Sequence, residues 1–173
     1  MENEQVKISS IGNAKVLYAI KFVVLFGVAI LAPLMQNQLI TGTIVNMALL
    51  AAVFVLGFRG AAAIAFFPSI ISLGLGFLPG IMTPIIPFII MGNIIFIGIF
   101  TLLKNKNYWL GSISGSILKF VWLLVSSQII ISLFIQKPVA VKIASMMSWP
   151  QLFTALAASI LVFVIFYKKI EVK

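Results

Sequence analysis

Between Gln5 and Ile170 there is no acidic residue; Glu2, Glu4 and Glu171 carry the only carboxylate side chains. Any cation placed in that interval must fold without a carboxylate partner from the same interval. The interval also divides into apolar runs of about twenty residues, the length that crosses a hydrocarbon core roughly 30 Å thick. At 62% hydrophobic and 9% charged, a soluble domain of 173 residues could not keep its apolar surface out of water. The reading is an all-α integral membrane protein, one domain of six transmembrane helices over about 14–35, 40–57, 61–77, 84–103, 109–135 and 149–167.

The basic residues then set the expected orientation. With a cytoplasmic N-terminus, Lys7, Lys15, Arg59, Lys104, Lys106, Lys168, Lys169 and Lys173 fall inside, and Lys21 can snorkel to the same side. Only Lys137 and Lys142 fall outside. Six spans return the C-terminus to the cytoplasm. The net charge of +9 is accounted for by this pattern, with no nucleic-acid partner expected. The N-terminal MENEQVKISSIGNAK is polar and lacks a cleavage site behind a short apolar core, so no cleaved signal peptide is expected.

The run from Tyr108 to Ile135 holds the most informative residue, Lys119. At 1.5 Å per residue it lies roughly 15 Å beyond Trp109, near the midplane. A charge there costs at least roughly 2.5–3.5 kcal/mol. Ser112, Ser116, Lys119 and Ser126 share one helical stripe, and Gly111 and Gly115 beside it would admit a close neighbouring helix. The expectation is a polar interior around Lys119, with a ligand as its counter-charge.

Elsewhere, Pro33 marks the end of the first span, and Arg59–Gly60 reads as the turn between the second and third. Pro68 should kink the third span. The residues from Gly74 to Pro87, including Leu78, Pro79, Pro84 and Pro87, read as a turn followed by a helix start that Thr83 could cap. The segment 136–147 reads as a loop with an interfacial turn. Ser148 is placed to cap the last span, with Trp149 as its interfacial anchor.

Asn46, Asn93, Ser126, Ser127, Gln128, Trp149, Gln151 and Thr154 fall at mid-depth or in the outer half, with Lys119 as their floor. This distribution points to an outward-facing binding site built from Lys119, Asn93, Asn46, Trp122, Ser126, Gln128, Trp149 and Gln151. Lys119 suits an anionic or heterocyclic ligand, and Trp122 and Trp149 could stack a ring. The catalytic inventory is poor, with no His, Cys or Asp in the chain. No catalytic residue, metal site or cofactor is expected, and the chain is read as not an enzyme. No phosphate-cradling Gly-rich loop is present, so active transport would draw its energy from another subunit.

The stretches Ile40-Thr-Gly-Thr-Ile-Val-Asn46, Leu78-Pro-Gly-Ile-Met-Thr-Pro-Ile-Ile-Pro-Phe88 with Gly92-Asn93, and Ser145-Met-Met-Ser-Trp-Pro-Gln151 carry a resemblance. With the size and the six-span pattern, the chain resembles the substrate-binding S component of an energy-coupling factor (ECF) transporter. The resemblance implies an S-component-like bundle in the bacterial cytoplasmic membrane, binding a vitamin-like small molecule. It also implies a transmembrane coupling subunit and two ATPase subunits as partners. That family often has two alanines four apart on its first helix, where the coupling subunit docks. Here Ala14 and Ala19 are five apart, and the Gly57–Ala61–Ala65 face is the alternative docking surface. A cell-shape scaffold of the MreD type and a stand-alone small-solute transporter remain the other readings.

Overall fold

A computed structural model describes residues 2–77, 80–134 and 137–171. Leu78 and Pro79 of the proline-rich turn, the end of the fifth span at Ile135, the loop residue Gln136, and Lys173 lie outside the described residues. Every regular element among the described residues is helical: α1 (Glu2–Leu31), α2 (Gln38–Val55), α3 (Gly57–Gly74), α4 (Ile86–Leu103), α5 (Tyr108–Phe134), α6 (Lys137–Met146) and α7 (Trp149–Glu171). Two short 3₁₀ turns, Ala32–Met35 and Gly80–Ile85, precede α2 and α4. Six segments are long and apolar enough to cross a membrane. This is a multi-pass helical membrane protein.

Proline and asparagine set the element ends. At Pro33 the long α1 tightens into a 3₁₀ turn, close to the expected stop. Gln36 follows in the left-handed region, and the Asn37 side chain accepts from the backbone N–H groups of Leu39 and Ile40 to cap α2. The turn between α2 and α3 falls at Leu56–Gly57 rather than at Arg59–Gly60, because Gly57 takes φ +76°, which only glycine adopts without strain. The residues expected to form the turn are therefore already helical. Pro68 lies inside α3, which runs on through it to Gly74.

Two expected caps differ. The Thr83 hydroxyl donates to the Gly80 carbonyl within the 3₁₀ turn, and α4 starts at Ile86 with no side-chain cap. The Ser148 hydroxyl donates to the Ser145 carbonyl, closing α6 instead of opening α7.

Helix α2 is the hub, packed against α1, α3, α4 and α7, while α5 lies against α4, α6 and α7. Leu49, Leu50, Ala52 and Val53 are buried along α2, together with Ala61, Ile64 and Ala65 of α3 and Phe96, Ile97 and Phe100 of α4. Ala61 and Ala65 of the Gly57–Ala61–Ala65 face are buried in this core, while Gly57 is exposed. Around one end, Phe54 stacks on Phe166 at 5.0 Å and meets Phe100 edge-on. That end carries Arg59, Lys104 and Lys106 in or beside its connections and is called the basic end below. A smaller cluster of Ile85, Leu123, Ile130, Ile143 and Met147 closes the other end. The lipid-ward surface is apolar, as on Val16, Ile20, Val23 and Val24 of α1.

Candidate functional site

Lys119 is 3% exposed and sits where α2, α4, α5 and α7 converge. Its Nζ donates to Asn46 Oδ1 on α2 at 2.5 Å and to Asn93 Oδ1 on α4 at 2.7 Å. A lysine can only donate, so both amides must turn their oxygens toward it. The Asn46 nitrogen then faces away and donates to Thr154 Oγ1 on α7 at 3.2 Å. The Thr154 hydroxyl passes its own proton on to the Gln151 carbonyl. The result is one directed chain, from ammonium to amide to hydroxyl to backbone, in which each donor polarises the next. The face of Phe96, one turn along α4 from Asn93, lies 5.5 Å from Nζ.

The sequence brings the four helices this close through small residues. A Cβ added at Gly115, one turn before Lys119, would stand 2.9 Å from the Phe96 carbonyl oxygen. One added at Gly111 would meet the Lys104 backbone nitrogen at 3.2 Å. Both glycines of α5 therefore admit α4, as their position beside the polar stripe predicts. On the far side, a Cβ at Gly42 would meet Thr154 Cγ2 at 2.9 Å, so Gly42 lets α7 reach α2 one turn above Asn46. The stripe itself is as expected, with Ser112, Ser116, Lys119 and Ser126 all buried.

Of the residues read as a site from the sequence, the structure joins Lys119, Asn46 and Asn93 directly and reaches Gln151 through Thr154. The others lie apart from this contact. Trp122 donates from Nε1 to the Phe88 carbonyl at 3.0 Å and stacks on the Phe88 ring, so its face is engaged within the bundle. The Ser126 hydroxyl bonds back to the Trp122 carbonyl. Gln128 is exposed on the opposite face of α5. Trp149 is 60% exposed, stacked on Phe120 at 5.1 Å, the posture of an interfacial anchor. Gln151 donates from Nε2 to the Met146 carbonyl, which also accepts from Gln38 Nε2.

Phe96 and Gln38 were not singled out from the sequence. Phe96 lies at i+3 from Asn93, a spacing that would have placed it on the same face. Nothing local marks Gln38, whose partner is 108 residues away.

An ammonium carries three donors, and the two asparagine oxygens take two of them. They solvate the charge with dipoles but do not cancel it. The residual field at the centre of the bundle favours an acceptor-rich or anionic atom next to Nζ. No protein-family model, curated protein or solved structure matches the chain.

Proposed function

We propose that this protein is a membrane-embedded binding subunit for a small anionic or acceptor-rich molecule, working as the S component of an ECF-type ATP-driven importer. The observation that carries the reading is Lys119, a cation buried at the meeting of four helices and held by two neutral amide oxygens. Ionisable groups at membrane depth are costly and mark ligand or ion pathways. Trp149 and Gln151 stand at one rim of the bundle and Lys119 at its centre, so a ligand entering from that rim would have to part the apolar cluster of Ile85, Leu123, Ile130, Ile143 and Met147. A vitamin-like heterocycle with a carboxylate would meet this donor set.

The test is mass spectrometry of small molecules that copurify with the protein, followed by reconstitution in liposomes. The expected result is a retained ligand that the protein binds without accumulating it. Binding energy shifts a conformational equilibrium but does not drive a gradient. Concentrative uptake by the protein alone would sink the S-component reading.

A second reading, a protein-binding membrane scaffold of the MreD type, draws on a different feature. Lys119, Asn46 and Thr154 already bond to one another in one directed chain, as a purely structural polar core would. A scaffold retains no small molecule on purification, and its Lys119 variants keep their partners.

A further inference from the structure

Three of the helices that meet at Lys119, α2, α5 and α7, also bound a cavity at the basic end of the bundle, together with the α4–α5 connection. It measures about 290 Å³ and is lined by Phe54 of α2, Lys104, Asn105, Lys106 and Asn107 of the α4–α5 connection, Tyr108 of α5 and Ile170 of α7. Lysines that only orient a span need no cavity, since they stand in water at a helix end. These two line a shaped space between α2, α5 and α7.

The lining is built around donors. The Lys104 ammonium lies 5.2 Å from the centre of the Phe54 ring, which anchors it at the wall. Lys106 is exposed. Asn107 uses its Oδ1 to accept from the Leu110 N–H at 3.0 Å, so the group it has left to offer is its amide nitrogen. The Tyr108 hydroxyl donates to the Ser159 carbonyl and fixes that wall against α7. In sequence the one acid close to this set is Glu171, next to Ile170. Counted in full against one lysine, it still leaves the lining positive.

The geometry points to this cavity as a binding site for a small anion, a phosphate or carboxylate group, separate from Lys119. Its volume, at the low end for ligand sites, suits an inorganic ion or a single headgroup rather than a large molecule. A phosphate group could arrive free in solution or on a lipid, and the chemistry that recognises it is shared.

The probes are inorganic phosphate and phosphatidylglycerol. The whole protein in a neutral detergent is titrated with phosphate, and with chloride at matched ionic strength, while its thermal midpoint is followed. A ligand of the folded state raises that midpoint with concentration. In parallel, lipid retained from vesicles of equal phosphatidylglycerol and phosphatidylcholine content is measured by native mass spectrometry. A phosphate-specific rise that weakens about tenfold or more in Lys106→Gln and in Lys104→Met supports a site for a free anion. Selective retention of phosphatidylglycerol, lost in the same variants, supports the same site with lipid as the source. Lys106 is exposed, so Lys106→Gln remains a usable test if Lys104→Met does not fold. Lys119→Met should leave either response unchanged, which separates this site from the one proposed above. Absence of both responses, persistence of them in the lysine variants, or their loss in Lys119→Met would overturn the inference.

Discussion

At the residue scale, the stability of the bundle turns on Lys119 and the two amide oxygens that accept from it. Lys119→Met removes a buried charge but leaves the oxygens of Asn46 and Asn93 without a donor. Each orphaned oxygen costs about 1–3 kcal/mol, against roughly 2.5–3.5 kcal/mol relieved by losing the charge. The single variant should therefore fold with a stability close to the parent. Asn46→Leu keeps the ammonium and removes both its acceptor and the donor to Thr154. By comparison with broken buried pairs, it should lose about 3–5 kcal/mol. The combined Lys119→Met, Asn46→Leu, Asn93→Leu variant, apolar throughout, should recover most of that loss. Thermal denaturation in detergent gives the order; a Lys119→Met variant far less stable than Asn46→Leu would mean the lysine holds something other than these amides. Ligand affinity follows a different rule. With Lys119→Met it should fall roughly ten- to a hundred-fold, the equivalent of a charge-assisted hydrogen bond. Normal ligand binding by this variant would place the binding site elsewhere.

At the element scale, the close approach of α4 and α5 is tested by adding one methyl group. Gly115→Ala puts a Cβ 2.9 Å from the Phe96 carbonyl oxygen, a backbone atom that cannot swing away. The helices must part, at a cost of about 1–3 kcal/mol. Gly27 on α1 has nothing within 4 Å of the same added atom, so Gly27→Ala should be neutral or stabilise by up to about 1 kcal/mol. Equal thermal midpoints for the two variants would contradict the packing described. The α5 stripe was legible in the sequence because the spacings between Ser112, Ser116, Lys119 and Ser126 repeat on one helical face, whatever the helix packs against. Connections were less legible. Arg59–Gly60 looks as much like a turn as Leu56–Gly57, and only the backbone conformation of Gly57 decides between them. The partners of the stripe were legible only as members of one polar set, not as direct contacts. Periodicity says which residues share a face, but not that this face meets Asn46 on one helix and Asn93 on another. Trp122 shows the same limit: an indole at membrane depth could meet a ligand or a neighbour, and here the neighbour is Phe88.

For the whole molecule, the helix ends form two sets. Phe54, the Lys104–Asn107 connection and Ile170 gather at one end, whereas Gln38 meets Met146 and Thr41 meets Ala32 at the other. The chain contains no cysteine, so single cysteines report cleanly. One at Asn105 should label only from the cytoplasm and one at Ser145 only from outside; labelling of both from one side would remove the six-span alternation. The polar cluster also has a bearing on biogenesis. Spans enter the membrane in the order they are made, and Asn46 and Asn93 belong to helices completed before α5 emerges. The costly lysine thus arrives in a bilayer that already holds both of its acceptors, while Thr154 arrives last. Insertion of α5 should depend on what precedes it: glycosylation mapping of nascent chains should find it less efficient after Asn46→Leu and Asn93→Leu, although neither change touches α5. The order of helices along the polypeptide puts both acceptors ahead of the charge they receive.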